Sequence, residues 1–505
     1  MKNEDKTILC ENPILKGDFP DPDVIRVGDT YYMVSTTMHF MPGAVILQSF
    51  DLVHWEIISH IYDVLEETDG YRLENGKDAY GQGMWAPCLR YANGTFYVNF
   101  SVNDIHKSVL YQAKDIKGPW KKSYIDGFYY DSSLLFDDDG RVYIVHGNRH
   151  IWLTELTADL SGPKPGGLNR NIINDTEEIG LGYEGAHIYK INGKYYVFLI
   201  HWPSVRAEAC FVADSLEGEF VGRDVVTDDM GYHEQGVAQG GIVDTPEGDW
   251  YGVLFQDYGA VGRIPVLVPM HWENDFPVFG ENGKVPKTFT VKSTRPDYEY
   301  VSLYDDDDFK NGINPNWEWN HNPVNSLFRT GKEGLTMTTD RVVKSMTWSV
   351  NTLTRRLKFP KCAVEITVDG THMKKGDYAG LCALQSCYAQ IAITKDEAGY
   401  ALVMAGREPE GEGVAPLKAE TFPAVEYARV QTESPVVRFR LEADFSDMLD
   451  EVSFFYEKDG SFVKLGQEKK MYFKLDHFTG CRGGLFYFST EEKGGRVSFK
   501  NFTFC

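Results

Sequence analysis

The sequence has little that would place it in or on a membrane. It contains no run of about 18 consecutive apolar residues, which a transmembrane helix requires. Its first residues, MKNEDKTILCENPILKG, lack the apolar core of a signal peptide. We therefore expect a cytoplasmic protein that does not associate with a membrane.

Positive charge is also scarce. Lys and Arg together number 51 against 74 Asp and Glu, which leaves a formal net charge of −23 at pH 7. A field of this sign repels phosphate backbones and anionic lipid surfaces. The composition therefore argues against nucleic acid as a partner and favours a neutral substrate, and it leaves a homo-oligomer open.

Cysteine is sparse and follows no metal-binding pattern. The eight cysteines are scattered, and the closest pair, Cys382 and Cys387, has neither zinc-type spacing nor a neighbouring His. We expect buried free thiols, as in a reducing compartment, and no metal site.

Aromatic residues are abundant, at 14%, and they recur in a pattern. Five times in the first 285 residues a turn with Gly precedes a strand-like run that carries a Tyr. These tyrosines, 46 to 65 residues apart, are Tyr32, Tyr97, Tyr143, Tyr196 and Tyr251. Frequent turn signals and few amphipathic helices indicate four-stranded antiparallel units. The repeat predicts an all-β fold with a five-bladed β-propeller over residues 1–287.

The second half of the chain lacks this repeat. Residues 288–304 are expected to form an extended linker. Over residues 305–505, runs such as CAVEITVDG, YAQIAITKD and VVRFRLEAD alternate between apolar and polar residues. Such alternation predicts an antiparallel β-sandwich of the jelly-roll, concanavalin-like kind. The acidic run from Asp305 to Asp308 is interpreted as a solvated turn, with a structural calcium ion as the second interpretation.

The repeat also locates a candidate site, because equivalent positions of different blades meet at the mouth of the central channel. Twelve residues before four of the tyrosines, and eleven before Tyr32, stand five residues that should face one another. They are Asp21, Trp85, Asp131, Glu184 and Gln239. Each acid alone could simply bond its own turn. Three acids in register instead indicate a shared task, because like charges gathered at one mouth are costly.

Carboxylates that face each other across a pocket are the catalytic groups that glycoside hydrolysis requires. One must act as a base that activates water, and the other as an acid that protonates the leaving oxygen. A third carboxylate would keep the acid protonated by repulsion. A separation of about 6.5 to 9.5 Å would predict inversion at the anomeric carbon. Asp21 stands between two prolines that stiffen the segment, whereas Asp18 and Asp23 are assigned to loop solvation and local turn bonds.

At this point the sequence resembles a known family, the glycoside hydrolases of family 43. The resemblance runs through NPILKGDFPDPDVIRVGDTYYMVS, GMWAPCLRYANGTFYV, DSSLLFDDDGRVYIVHG, YEGAHIYKINGKYYVF and GVAQGGIVDTPEGDWYGVLFQDYGAVGRIP. It covers the N-terminal half of the chain. The C-terminal region resembles the accessory sandwich of β-xylosidase-type members.

The resemblance implies a role for each candidate residue. Asp21 would be the general base, Glu184 the general acid, and Asp131 the residue that tunes the pKa of the acid and orients the substrate. Four further residues would bind substrate: Trp85 as a pocket wall, Phe40 where many relatives have Trp, Arg263 as a donor to sugar hydroxyls, and Gln239. Many members have His where this chain has Gln239, so a metal ion there is not expected. His187 and His233 lie close by in sequence and are alternatives for lining the site.

The function predicted from the sequence is an inverting exo-glycoside hydrolase that needs no cofactor. It would release terminal xylose or arabinofuranose from plant cell-wall oligosaccharides. Three alternatives stay open: an endo-acting arabinanase, a propeller that binds carbohydrate without catalysis, and a separate polymer-binding role for the sandwich.

Overall fold

The computed structural model describes residues 7–176, 180–407 and 424–505. The N-terminal part consists of five four-stranded antiparallel sheets, in the strand orders β2-β3-β5-β6, β7 to β10, β11 to β14, β15 to β18 and β19 to β22. The strands are β1 (Thr7–Glu11), β2 (Asp23–Val27), β3 (Thr30–Ser35), β4 (Phe40–Met41), β5 (Gly43–Ser49), β6 (Glu56–Tyr62), β7 (Met84–Ala92), β8 (Thr95–Val102), β9 (Lys107–Ala113), β10 (Lys121–Ile125), β11 (Ser133–Phe136), β12 (Val142–His146), β13 (His150–Leu156), β14 (Asn169–Asn174), β15 (Glu184–Ile191), β16 (Lys194–His201), β17 (Ala207–Ala213), β18 (Val221–Val226), β19 (Ala238–Asp244), β20 (Trp250–Asp257), β21 (Arg263–Glu273), β22 (Phe276–Phe279) and β23 (Thr288–Lys292). The five-bladed propeller is therefore confirmed.

The first strand of each blade lines the channel. Strands β2, β7, β11, β15 and β19 contact one another around the ring, and each of the five repeat tyrosines lies on the second strand of its blade. Tyr143 and Tyr196 are almost fully buried, so the repeat reflects packing between strands.

The segment expected to be a linker begins with a strand instead. Residues 288–292 form β23, which pairs antiparallel with β1 over Thr7 to Glu11. Further along, the hydroxyl of Tyr298 donates to Glu56 and that of Tyr300 accepts from the backbone N–H of Phe50. The linker prediction is corrected in this respect: the segment is bonded to the first blade.

The C-terminal region is a sandwich of two antiparallel sheets. Its strands are β24 (Glu318–Asn320), β25 (Phe328–Arg329), β26 (Leu335–Thr338), β27 (Thr352–Arg356), β28 (Lys361–Asp369), β29 (Asp377–Leu384), β30 (Ala389–Asp396), β31 (Gly399–Gly406), β32 (Val425–Thr432), β33 (Val436–Asp444), β34 (Glu451–Lys458), β35 (Ser461–Lys464), β36 (Lys469–Lys470), β37 (Arg482–Ser489) and β38 (Arg496–Phe504). The sheet orders are β32-β31-β30-β29-β37-β27-β24-β4 and β25-β26-β38-β28-β33-β34-β35, with β36 paired to β34.

Helix in the described residues is limited to four short 3₁₀ turns, at Gly259–Val261, Asn325–Leu327, Met346–Trp348 and Ser446–Met448. Within the same residues, the structure contains no helix of the length and apolarity that crossing a membrane would take.

The two regions share a sheet. Strand β4 leaves the first blade and pairs with β24, Phe40 opposite Asn320 and Met41 opposite Trp319. The propeller therefore supplies the last strand of a sandwich sheet. Because its sheet includes a strand of the propeller, the sandwich does not have the architecture of a detachable binding module.

A buried ion network lies beside this shared strand. Glu318 on β24 accepts from Arg356 at 2.8 Å and from Arg482 at 2.5 Å, and His60 of the first blade lies 3.5 Å from its carboxylate. Burial alone would raise the pKa of Glu318, but the two guanidinium groups hold it well below its usual range. The guanidinium of Arg482 also stacks 3.9 Å from the ring centroid of Phe40.

We expect Glu318→Ala to lower the free energy of unfolding by about 3 to 5 kcal/mol, because it leaves two buried guanidinium groups without their carboxylate. Equilibrium urea unfolding measures this. The matched control is Glu333→Ala, which removes an ion pair with Arg329 in which both side chains are 65% exposed and should cost less than about 1 kcal/mol. Equal effects of the two variants would contradict the prediction.

Candidate active site

The structure brings the five register positions together at one mouth of the channel. Asp21 and Asp131 lie two residues before the first strands of their blades, and Trp85, Glu184 and Gln239 lie in the first two residues of theirs. Left-handed backbone recurs at this level, at Asp21 (φ 52°), Asp131 (φ 47°) and Gln239 (φ 55°). In the other two blades, the residue after the register position has this left-handed backbone: Ala86 after Trp85, and Gly185 after Glu184. This conformation is unfavourable for residues other than Gly, and it persists where the surroundings enforce it.

Asp21 is the carboxylate of the site that carries an ion pair. Its Oδ1 lies 2.9 Å from Nη1 of Arg263, and its Oδ2 accepts from the hydroxyl of Thr36 at 2.7 Å. The same hydroxyl accepts from the backbone N–H of Ala86, in the second blade, at 3.0 Å. Asp21 is 7% exposed. Its orientation is therefore determined from both sides.

Asp131 and Glu184 face the same mouth, and neither forms an ion pair with any residue that the structure describes. Burial, followed by the charges of Glu184 and Asp21, raises the pKa of Asp131 well above its usual range. Burial and the charge of Asp21 raise the pKa of Glu184 to about 7. Because the groups are coupled, we assign the raised pKa to the pair. The mouth thus retains a proton near neutral pH.

Polar neighbours of Glu184 act in the opposite direction. The amide of Asn148 and, at 3.5 Å, the hydroxyl of Tyr130 donate to its Oε2. These bonds and the charge of Arg206 lower its pKa, against the larger effect of burial. The pKa of this acid is therefore adjusted by groups on two blades.

The wall of the mouth includes a residue that sequence analysis missed. Phe478 comes from the sandwich, yet its ring lies 5.1 Å from that of Trp85 and 4.5 Å from the guanidinium of Arg263. Its carbonyl accepts from Nη2 of Arg263 at 3.4 Å. The aromatic segment MYFKLDHFTG was the signal available in the sequence, but nothing in the propeller repeat points to it.

The backbone of Gln239 is hydrogen-bonded to a buried acid. Its backbone N–H donates to Oε2 of Glu208 at 2.7 Å, and burial raises the pKa of Glu208 to about 8. Its side chain packs on Gly185, where an added Cβ would lie 2.6 Å from Cδ of Gln239. Gly185, with φ of 63°, therefore cannot carry a side chain here.

Three of the candidate residues lie elsewhere. Phe40 has no exposed surface and packs under Arg482, so the structure does not present it to a sugar. His187 is buried below the mouth, 3.2 Å from Asp23. His233 is exposed and pairs with Asp447 of the sandwich.

The assignment of Asp18 and Asp23 to loop solvation is wrong. Both side chains are buried, at 2% and 0% exposure. Asp23 pairs with Arg90 at 2.7 Å, and Asp18 accepts backbone bonds from Arg263 and from Gly480 of the sandwich.

The acidic run in the sandwich is bonded within the protein. Asp305 pairs with Arg355, Asp307 accepts from the indole N–H of Trp317, and Asp308 pairs with Lys310. In residues 7–176, 180–407 and 424–505, no three or more His, Cys, Asp or Glu side chains are grouped so that they could hold a metal ion. A calcium ion at this run stays a prediction. The eight cysteines, all within the described residues, form no disulfide, and seven of them are buried.

Comparison with known proteins places this geometry in a family. Residues 10–277 match the family described as Glycosyl hydrolases family 43. The chain belongs to this family. Residues 306–505 match a second family, described as Beta xylosidase C-terminal Concanavalin A-like domain.

Individual relatives agree with both matches. A curated beta-xylosidase of Formosa agariphila is 29% identical over 355 residues, which cover 62% of this chain and 59% of that protein. The structure of a bifunctional GH43-CE protein of Bacteroides eggerthii has a TM-score of 0.90 and 38% identity, and the match covers 99% of this chain and 64% of that one. This chain thus spans less than two thirds of either protein. An engineered family 43 enzyme that displays both endo-xylanase and exo-arabinofuranosidase activity has a TM-score of 0.89 and 30% identity, with 99% of each chain covered.

We expect Asn148→Ala to move the alkaline limb of the pH profile upward by about 0.5 to 1 pH unit. If Glu184 is the general acid, it must be protonated to act, and the raised pKa that it shares with Asp131 then sets this limb. Removing a donor to the carboxylate destabilises the charged form and raises the pKa. The measurement is kcat/KM on xylobiose against pH.

The matched control for this variant is Asn174→Ala, because Asn174 is an exposed residue of the same region that bonds His150 instead of Glu184. An alkaline limb that stays in place, or moves downward, in Asn148→Ala would contradict the assignment of Glu184.

Proposed function

We propose that the chain is an exo-acting, inverting glycoside hydrolase that releases terminal xylose or arabinofuranose from plant cell-wall oligosaccharides. The observation that carries the proposal is the convergence of Asp21, Asp131 and Glu184 at one mouth. One of these carboxylates is paired with a cation, and the pKa values of the other two are raised. Acids in such different environments can divide the roles of base and acid.

The division of roles follows from the partners. Asp21, held by Arg263 and Thr36, accepts the proton of the attacking water. The water oxygen bonds the anomeric carbon while the bond from that carbon to the glycosidic oxygen breaks. Glu184 donates its proton to the leaving oxygen. Burial and the charge of Asp21 keep Glu184 protonated, and Asp131 titrates together with it, since the charges of Glu184 and Asp21 also raise the pKa of Asp131.

Unused donors at the mouth can meet the hydroxyls of the sugar. The indole N–H of Trp85 and Nε of Arg263 are buried and have no acceptor among the described residues. Buried donors without partners are costly, and a bound hydroxyl would relieve that cost. Both groups lie beside Phe478.

Phe478 also favours exo over endo action. Because the sandwich inserts this ring against Trp85 and Arg263, one side of the mouth is walled. A pocket closed on one side suits the end of a chain, whereas endo action requires an open cleft. The names of the relatives, a beta-xylosidase and an engineered enzyme with exo-arabinofuranosidase activity, support the choice of sugars.

We expect Glu184→Ala to lose about 10²- to 10⁴-fold in kcat on xylobiose, and far less on an aryl glycoside, because a 4-nitrophenolate leaving group needs little protonation. The assay compares xylobiose with 4-nitrophenyl β-xyloside and α-arabinofuranoside and identifies the released monosaccharide. Glu219→Ala, an exposed acid in an outer turn of the same blade, is the control. Equal losses on both kinds of substrate would remove Glu184 from the role of acid.

The anomer first released should be inverted relative to the bond that is cleaved, because the water attacks from the face opposite the leaving group. Proton NMR of the earliest product, before mutarotation, measures this. Asp21→Ala should abolish release on both kinds of substrate. A product of retained configuration would overturn Asp21 as the base.

A further inference from the structure

Asp18 is a buried acid that takes no part in the proposed chemistry. It stands three residues before Asp21 and is 2% exposed. Both of its carboxylate oxygens accept backbone N–H groups. Oδ1 accepts from Arg263 at 2.8 Å, and Oδ2 accepts from Gly480 at 2.8 Å.

Each of these N–H groups belongs to a segment that carries a side chain of the mouth. Arg263 bonds Asp21, and Gly480 follows Phe478 by two residues. The two segments are also bonded directly at the mouth, where Nη2 of Arg263 donates to the carbonyl of Phe478 at 3.4 Å. Asp18 thus bonds both the propeller segment and the sandwich segment of the site.

The chain is fitted closely around this carboxylate. An added Cβ at Gly262, where φ is 107°, would lie 2.3 Å from Oδ1 of Asp18, and one at Gly480 would lie 2.6 Å from its Cβ. The backbone carbonyl of Asp18 accepts from Nε of Arg356 in the sandwich at 2.7 Å. A longer acid has no room here. Asn fits, but its amide group would oppose one of the two N–H donors.

A second buried carboxylate offers a comparison. Asp450 of the sandwich is 7% exposed; burial raises the pKa of its carboxyl, and the nearby backbone N–H of Ala260 acts in the opposite direction. An added Cβ at Gly259 would lie 2.5 Å from its Oδ2. Asp450 therefore fastens the same propeller loop to the sandwich, but through residues that do not bond Asp21.

We propose that Asp18 is a positioning residue, which acts through Arg263 and Phe478 to hold the base Asp21 and the wall of the pocket in register. The proposal rests on the proposed function. It makes the sandwich part of the catalytic unit through one carboxylate, in addition to the contact of Phe478 with the mouth. The effect is one of alignment, and small displacements of aligned groups cost rate.

The test compares Asp18→Asn with Asp450→Asn in the full chain. Each is assayed for kcat and KM on whichever 4-nitrophenyl glycoside, β-xyloside or α-arabinofuranoside, the wild type hydrolyses faster, and each is followed by thermal unfolding. We expect Asp18→Asn to lower kcat/KM by about 10- to 100-fold. Asp450→Asn should leave it within about threefold, even where the two variants lose similar thermal stability.

A double-mutant cycle with Arg263→Ala distinguishes a role of Asp18 in positioning Arg263 from a general role in stabilising the fold. If Asp18 acts through Arg263, then Asp18→Asn should cost less than about threefold once Arg263 is gone, because coupled residues are not additive. Where Asp18→Asn does not fold, Asp18→Ser, which keeps one acceptor and is smaller, replaces it in the same cycle.

Two outcomes would overturn the proposal while the proposed function stands. In one, Asp18→Asn and Asp450→Asn lose activity equally. In the other, the fold-losses in kcat/KM caused by Asp18→Asn and Arg263→Ala multiply in the double variant. Asp18 would then only stabilise the fold. A wild-type chain that releases no sugar from any substrate tested would overturn the proposed function and this inference together.

Discussion

A single guanidinium group joins four of the five inner strands on which the site is built. Arg90 on β7 pairs with Asp23 of the first blade, donates to the carbonyl of Leu134 and the hydroxyl of Ser133 in the third, and reaches the carbonyl of Ile188 in the fourth at 3.4 Å. Burial would raise the pKa of Asp23, but Arg90 and His187 lower it to about 2. The pair therefore stays charged and bonded at any pH at which the enzyme is expected to work.

A second constraint comes from the junction with the sandwich. The strand that contains Phe40 completes a sandwich sheet, and Glu318 beside it pairs with two buried guanidinium groups. Phe478 then returns from the sandwich to the mouth. The position of one wall of the pocket thus depends on packing far from the reacting atoms, which is why we treat the two regions as a single catalytic unit.

Much of this was predictable from the sequence, because a repeat carries geometric information. Once five strands were aligned by their tyrosines, Asp21, Asp131 and Glu184 had to share a mouth. Side chains whose partners are distant in sequence were not predictable. Asp18 bonds a residue 245 positions away, and Phe478 belongs to another domain, so local pattern could indicate neither. Phe40 was misplaced for the same reason, since its partner strand is almost 280 residues downstream.

Two buried aspartates of the propeller have pKa values that shift in opposite directions, because their charged neighbours differ. Asp23 lies below the mouth against a guanidinium group, and its pKa falls; Asp131 lies at the mouth among acids, and its pKa rises. Both side chains are buried, so desolvation does not distinguish them. The fold pairs Asp23 with a guanidinium group, whereas at the mouth it pairs Asp21 with Arg263 and leaves Asp131 beside the charges of Glu184 and Asp21. In the proposed mechanism, the repulsion among the acids at the mouth helps to keep a proton available for the leaving oxygen.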